Sequence, residues 1–369
     1  MFLKELCLEN FRNFSFIDIN FNDGINLITG PNGQGKTNIL ESIYYSAITK
    51  SFRTIKDKNA IKYNKDFFNI TSIFITHPVS KKSIRLYYSD YEGKILFINE
   101  KKITKFSEFI GTIPCVILTL DDLKLSYGGP AERRKFLDVL LSQVSPTYLD
   151  SLKNFKRCLI QRNFLLDSED KGFAKEQIEI WNKQFIDYGS EIIQKRILFT
   201  EFLNDNINSY YQNFSSSQAK IKVVYHTNIF KREIIKDLAG IKNIFNKKIL
   251  RSFDYEYDKG MSIIGPQRDD IDFYLNDKSL KEFSSQGENK TFVIALKFLE
   301  WEYISQNKRI KPILLLDDVF GELDETRKNG LMKFFNKIGQ TFITTTSENK
   351  FNKFISKKFI VNNSKVYDA

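Results

Sequence analysis

Gly24–Ala47 reads GINLITGPNGQGKTNILESIYYSA, and the order of residue types within it decides the fold. Ile25, Leu27 and Ile28 make a short apolar strand. Gly30-Pro31-Asn32-Gly33-Gln34-Gly35-Lys36-Thr37 then fits the pattern G-x-x-x-x-G-K-[ST], and Ile39, Leu40 and Ile43 recur at helical spacing behind it. Strand, glycine loop and helix is the order that a phosphate cradle needs. Backbone N–H groups must turn inward around phosphate oxygens, and a Cβ at the glycine positions blocks the turn or the approach. The helix start adds the positive end of its dipole. In this reading Gly30 to Thr37 bind a nucleotide, Lys36 reaches the β and γ phosphates, and Thr37 offers its hydroxyl to Mg²⁺.

A second stretch completes the chemistry. Ile313-Leu314-Leu315-Leu316-Asp317-Asp318 is an apolar run ending in two carboxylates, the way a buried parallel strand delivers acids to the C-terminal edge of a sheet. Asp317 is expected to hold Mg²⁺ with Thr37, and Asp318 to orient the attacking water or take its proton. Ser284-Ser285-Gln286-Gly287-Glu288 precedes a helical pattern and offers another anion site, made of dipole, N–H groups and a hydroxyl. Gly321-Glu322-Leu323-Asp324 follows the acidic strand. Lys36 and Ser285 are far apart in the chain, so one ATP lies between two ends of one copy or between two copies.

Around these stretches the chain alternates in character. Phe2–Leu8 and Phe14–Phe21 alternate as strands, and NITSIFIT, SIRLYYS and KILFINE (69–100) suggest an antiparallel sheet. Ile113–Leu118 is a buried strand. After Gly128-Gly129-Pro130 the pattern turns helical to about residue 205. Ser145-Pro146 is a cap with proline at the first helical position. Tyr148, Leu152, Phe155 and Leu159, then Ile178, Trp181, Phe185, Tyr188 and Ile192, are spaced as two facing helices, either a projecting arm or a compact subdomain. An amphipathic helix is expected over Lys231–Leu250, and α/β character returns with the strand Ile271–Leu275, a helix near Asn289–Ser305, and strands at Thr341–Thr345 and Phe359–Val361.

Composition bounds the rest. The 369 residues have room for two or three domains, and 42% hydrophobic with 27% charged residues is ordinary for a globular protein. No apolar run approaches the roughly 20 residues of a membrane span, and no secretory leader is expected. Cys7, Cys115 and Cys158 are too few and scattered for a disulfide framework, which fits a reducing cytoplasm, and with His77 and His226 they make no zinc pattern. A net charge of +11 favours a polyanionic partner, nucleic acid before acidic membrane.

GPNGQGKT, SSQGEN, LLLLDDVFGELD and the opening LENFRNF, together with DLKLSYGGPAERRKFLD and GPQRDD, resemble the RecF family of recombination mediators over nearly the whole chain. The resemblance implies an α/β fold: an ABC-type P-loop ATPase head with an antiparallel β subdomain and an inserted helical arm domain. The expected domains are 1–128 (phosphate loop and β subdomain), 129–255 (helical insert) and 256–369 (signature and acidic strand). It further implies that Ser285, Gln286, Gly287 and Glu288 of one copy close over ATP held by the other, with Asp324 across the same interface, so that ATP drives a homodimer. Implied partners are double- and single-stranded DNA at gap junctions, RecO and RecR, and indirectly RecA, with slow ATP hydrolysis as a timer and no membrane. The chain departs from the family at Gln267 (usually His), Glu288 (usually Gln), Gly321 (usually Ser) and Leu120 (commonly Pro), and these bear on dimer strength. A transporter ATPase subunit fits less well, because QTFITTTSEN lacks a switch histidine. An SMC-like structural ATPase needs a longer coiled coil than Pro130 to about residue 255 allows. Lys153, Lys156, Arg157 and Arg162 are the expected DNA contacts on the helical insert.

Overall fold

The computed structural model describes residues 1–77, 80–215, 217–230, 234–335, 337–346 and 354–369. The chain divides into two compact units, one made of 1–123, 212–217 and 293–369, the other of 124–211 and 218–292.

The first unit holds two six-stranded sheets. In one, strands Ile355–Asn362, Ile25–Thr29, Thr341–Thr345, Ile313–Asp317 and Cys115–Leu118 run parallel in that order, and Lys365–Asp368 adds an antiparallel edge. Ile313–Leu316 and Thr341–Thr345 are buried at every position, which is why they read as unbroken runs rather than alternating ones. The other sheet is antiparallel, in the order Phe14–Asn20, Phe2–Phe11, Phe67–His77, Ser80–Ser89, Gly93–Ile98, Lys101–Ile103. The helix Lys36–Ile48 touches strands of both sheets, and eleven of its thirteen residues are buried. That is why its apolar pattern extends beyond a single stripe. The final strand is longer than its sequence suggests and returns as a hairpin through Asn363 and Ser364, both with positive φ (48° and 56°), the conformation of a two-residue turn.

The second unit combines helices with a three-stranded antiparallel sheet ordered Lys278–Ser279, Asp270–Leu275, Ile221–His226. Ser145 caps the helix Pro146–Leu166, its Oγ accepting from the Tyr148 N–H at 3.2 Å. The next helix, Lys171–Phe214, is 44 residues long and outruns the sequence expectation. The two helices are antiparallel: Ser151 donates to Glu191, the Phe155 and Phe185 rings stack 4.5 Å apart, and Arg162 Nε donates to Asn182 at 2.9 Å. A third helix, Leu238–Asp258, closes the seam by placing Phe245 5.6 Å from Phe185. Of the arm and the compact form, the packing within this unit is the compact one. The third helix starts later than its sequence suggests because Asp237 caps it, accepting from Gly240 N–H at 2.6 Å. Residues 231–233, where that helix was expected to begin, lie outside the described residues, as do Ser216 and Ser347–Asn349 of QTFITTTSEN.

Two of the motif stretches are knitted together inside this unit. Arg133 makes two 2.7 Å hydrogen bonds to Asp270, and Arg134 donates to the Asp269 carbonyl at 2.8 Å. Arg196 donates to Asp138 and to the Pro266 carbonyl, each at 2.9 Å. AERRKFLD and GPQRDD are thus partners in one charge network, which groups residues 256–292 with the helical unit rather than with the strands that follow them. Gln267 donates to the Ile264 carbonyl at 3.0 Å, so the departure from histidine serves a local turn. Arg162 corrects the sequence reading. It is 1% exposed, held by Glu256, Asn182 and Ser262 at 2.8–2.9 Å, and lies over the Phe185 ring, so it is no DNA contact. Lys153, Lys156 and Arg157 are exposed.

Asp269 is 1% exposed and accepts from the Tyr225 hydroxyl, and burial pushes its carboxyl up to about 6 against the opposing charge of Arg196. A carboxyl whose folded pKa lies above its unfolded one adds stability below the unfolded value, lost as pH rises through about 6. Asp269→Asn keeps an acceptor for Tyr225 and removes the titration. Thermal unfolding from pH 4 to 7 should therefore show a flatter profile for the variant, the wild type losing more of its relative stability toward pH 7.

Candidate functional site

Strand register assembles the site. Asp317 is level with Thr344, which is level with Ile28, so the acidic strand ends two residues before the level of Gly30. Gly30, Gly33 and Gly35 have φ of 145°, 78° and 115°. A Cβ on Gly30 would lie 2.2 Å from the Val361 carbonyl oxygen, and one on Gly35 would lie 2.7 Å from both Asn13 and Phe14. These two glycines are therefore required by conformation and by space. Gly35 caps the helix, and Pro31, Asn32 and Gly33 are exposed at the loop tip.

Lys36 is buried, and its ammonium donates to the Gly30 and Pro31 carbonyls at 2.7 and 2.9 Å. Burial lowers its pKa, against the raising effect of Asp318 and Asp317. Thr37 Oγ1 donates to Asp317 Oδ1 at 2.9 Å, and Thr344 Oγ1 donates to the same oxygen at 2.8 Å. Burial raises the Asp317 pKa; the two hydroxyls oppose that shift and Asp318 adds to it. Asp318 adopts the left-handed conformation (φ 52°), and its N–H donates to Thr344 Oγ1 at 2.9 Å. A hydroxyl and a carboxylate oxygen 2.9 Å apart match two neighbouring ligands of an octahedral ion with bonds of about 2.0–2.1 Å, which suits Mg²⁺. Among the described residues no three His, Cys, Asp or Glu cluster as metal ligands, so the fit is to an ion sharing its shell with phosphate and water.

The structure thus brings Lys36, Thr37, Asp317 and Asp318 together in the first unit. Ser285, Gln286, Gly287 and Glu288 belong to the second unit, at the start of the helix Gln286–Lys308. There Glu288 Oε2 accepts from the Ser285 N–H and hydroxyl, each at 2.8 Å, and the Glu288 N–H donates to Ser285 Oγ at 3.2 Å. This is a capping box, and it explains why the helix begins earlier than Asn289. The glutamate that departs from the family thus puts a carboxylate at the positive helix end. Asp324 caps Glu325–Phe335, accepting from the Arg327 N–H at 2.9 Å.

Sequence reading missed the supporting shell apart from Arg53, which stands out after the loop helix as an arginine able to approach the nucleotide. Glu41, fully buried, is gripped by Arg12 at 2.5 and 2.9 Å, by Ser51 at 2.5 Å and by Arg53 at 3.3 Å. Arg53 also donates to Asn38 Oδ1 at 2.7 Å and lowers the Asp317 pKa, so its charge reaches the acidic strand. Thr344 lay in a strand read only for its missing histidine. A carboxylate inside the phosphate-loop helix was the one available signal for the rest of this shell.

Phosphate loop, level acidic strand and strand–helix frame define a P-loop ATPase head of the ABC and SMC class. Residues 2–366 match the family described as RecF/RecN/SMC N terminal domain. The chain is 38% identical to a DNA replication and repair protein RecF from Chloroherpeton thalassium, covering 95% of this chain and 96% of that protein. It is 35% identical to the RecF of Bacillus cytotoxicus, over 94% and 92%. A solved structure of the recombination mediator protein RecF-ATP superposes with a TM-score of 0.92 at 29% identity, covering 100% of this chain and 97% of that one. The Smc head domain of Pyrococcus furiosus shares the fold (TM-score 0.57, 15% identity, 100% and 96% covered). The chain belongs to the RecF family.

Gly35→Ala tests the cradle. At φ 115° and with Asn13 and Phe14 at 2.7 Å, a methyl group must displace the loop, so nucleotide affinity measured by titration should fall at least about a hundredfold.

Proposed function

We propose that this chain is an ATP-dependent DNA-binding protein of replication and recombinational repair, acting at double-strand/single-strand gap junctions and helping RecA loading with RecO and RecR. Its relatives carry the name DNA replication and repair protein RecF, and a solved relative is described as RecF-ATP in the RecFOR pathway. The observation that carries the reading is the meeting of Lys36, the Thr37–Asp317 pair and Asp318 at one sheet edge. Among the described residues no helix is long and apolar enough to cross a membrane. A cytoplasmic place of action follows from the proposed substrate.

In this reading the N–H groups of Gly30 to Gly35 and the Lys36 ammonium bind the phosphates of ATP. Thr37 and Asp317 hold Mg²⁺, which when bound neutralises the phosphate charge that develops on transfer. Asp318, held by Thr344, orients the attacking water and receives its proton. Ser285, Gln286, Gly287 and Glu288 of a second copy close the site, with Asp324 at the same interface. ATP is thereby the condition for a dimer, and slow hydrolysis limits its lifetime.

Sedimentation with and without ATP and gapped DNA tests the assembly. Wild type should dimerise with ATP and shift further with DNA. Lys36→Ala should lose ATP binding and the dimer together, whereas Asp318→Asn should bind ATP, turn over about a hundredfold more slowly or worse, and accumulate dimer. Turnover of Asp318→Asn at the wild-type rate would remove that residue from its role. For DNA, charge reversal at Lys153, Lys156 and Arg157 should flatten the plot of log affinity against log salt by about 0.9 for each phosphate no longer neutralised. An unchanged slope would exclude this face.

A further inference from the structure

The phosphate loop is tied to the other end of the chain. Asn13, in the turn between the first two strands, has three of its amide's hydrogen bonds assigned. Its Nδ2 donates to the Gln34 carbonyl at 2.8 Å and to Ser364 Oγ at 2.9 Å, and its Oδ1 accepts from Asn38 Nδ2 at 2.7 Å. The loop is gripped a second time, since Asn363 N–H donates to Gln34 Oε1 at 2.7 Å. Four segments therefore meet at one half-buried amide: the first turn, the phosphate loop, the loop helix and the C-terminal hairpin.

Peptide geometry converts this grip into function. The Gln34 carbonyl and the Gly35 N–H belong to one planar trans unit and point to opposite sides of the chain. Holding the carbonyl against Asn13 aims the Gly35 N–H away from Asn13, toward the side where a phosphate cradle needs donors. Glycine at 35 has almost no steric preference of its own between this orientation and a flipped one. The side chain at 13 must supply the choice.

We propose that Asn13 is a positioning residue for the nucleotide phosphates, and that the hairpin turn Asn363–Ser364 braces it in that role. The inference rests on the ATP-binding reading above. It assigns a task to residues that the loop motif does not include, one of them 329 positions from Gln34. The N–H groups of such a loop serve the α and β phosphates, which ATP and ADP share. Loss of Asn13 should thus weaken both ligands by the same factor, whereas a defect at the γ-phosphate side would weaken ATP alone.

The test is calorimetric titration of the purified full-length chain with ATP and with ADP, each with Mg²⁺, at a temperature well below unfolding. Asn13→Ala should weaken both nucleotides about tenfold, the loss of one to two net hydrogen bonds, with their affinity ratio unchanged. Ser364→Ala should weaken both about threefold, and the double variant should be no weaker than Asn13→Ala alone, because the two act through one link. Wild-type affinity in Asn13→Ala overturns the inference, as does a loss confined to ATP. Should Asn13→Ala fail to fold, wild-type affinity in Ser364→Ala overturns the bracing role. Absence of ATP binding by the wild-type chain would instead remove the ATP reading itself.

Discussion

The structure of the first unit depends on strand register. Three parallel strands must stop at the same level for a hydroxyl in the loop helix to reach a carboxylate almost three hundred positions away in the chain. Thr37, Asp317 and Thr344 meet within 2.9 Å because the acidic strand, the Thr341–Thr345 strand and the loop strand are in that register. A slip of one residue would turn Asp317 to the opposite face of the sheet. Leu314–Leu316 and Thr341–Thr345 are buried on both faces, so the strands that carry Asp317 and Thr344 also build the core. Core and chemistry are thereby the same constraint.

Charge is used differently in the two units. Around the phosphate loop, charges of both signs gather at one edge of the sheet without closing into buried pairs: buried Lys36 lies near the half-buried Asp317 and Asp318, and exposed Arg53 pairs with buried Glu41 and, less closely, acts on Asp317. In the helical unit, Arg162 with Glu256, Arg133 with Asp270, and Arg196 with Asp138 are neutralised pairs inside the packing. Breaking such a pair by removing one partner typically costs about 3–5 kcal/mol, because the other charge stays buried. The motif residues of AERRKFLD and GPQRDD are thus explained by folding before any partner is invoked. Conversely, the exposed Lys153, Lys156 and Arg157 make no ion pair among the described residues.

The site was legible in proportion to how local its geometry is. A phosphate loop is built from consecutive residues, and Gly30, Gly33 and Gly35 show the positive φ values that the pattern demands. The acidic strand was readable for a similar reason, since four apolar residues followed by two aspartates can end a buried strand in few other ways. Ser285 to Glu288 was readable as a helix start, and the capping box is its local form. Arg162 was misassigned on its charge although its spacing carried the signal: it follows Phe155 by seven residues and Lys153 by nine, so it falls on the buried seam, where it donates to Glu256 and Ser262.

The sequence by itself determined the loop, the acidic strand, the antiparallel sheet, the facing helices of the insert and the family to which the chain belongs. The structural elements follow from spacing along the backbone, and the family from the resemblance of the quoted motifs. Tertiary structure alone decided that a third helix closes the seam at Phe245, that Arg12, Ser51 and Arg53 converge on Glu41, and that Asn363 and Ser364 reach the phosphate loop. Those contacts join residues from 10 to more than 300 positions apart through single hydrogen bonds or ring contacts. Such pairs leave no periodicity in the chain, because a hydrogen bond fixes the separation of two groups in space and not along the sequence.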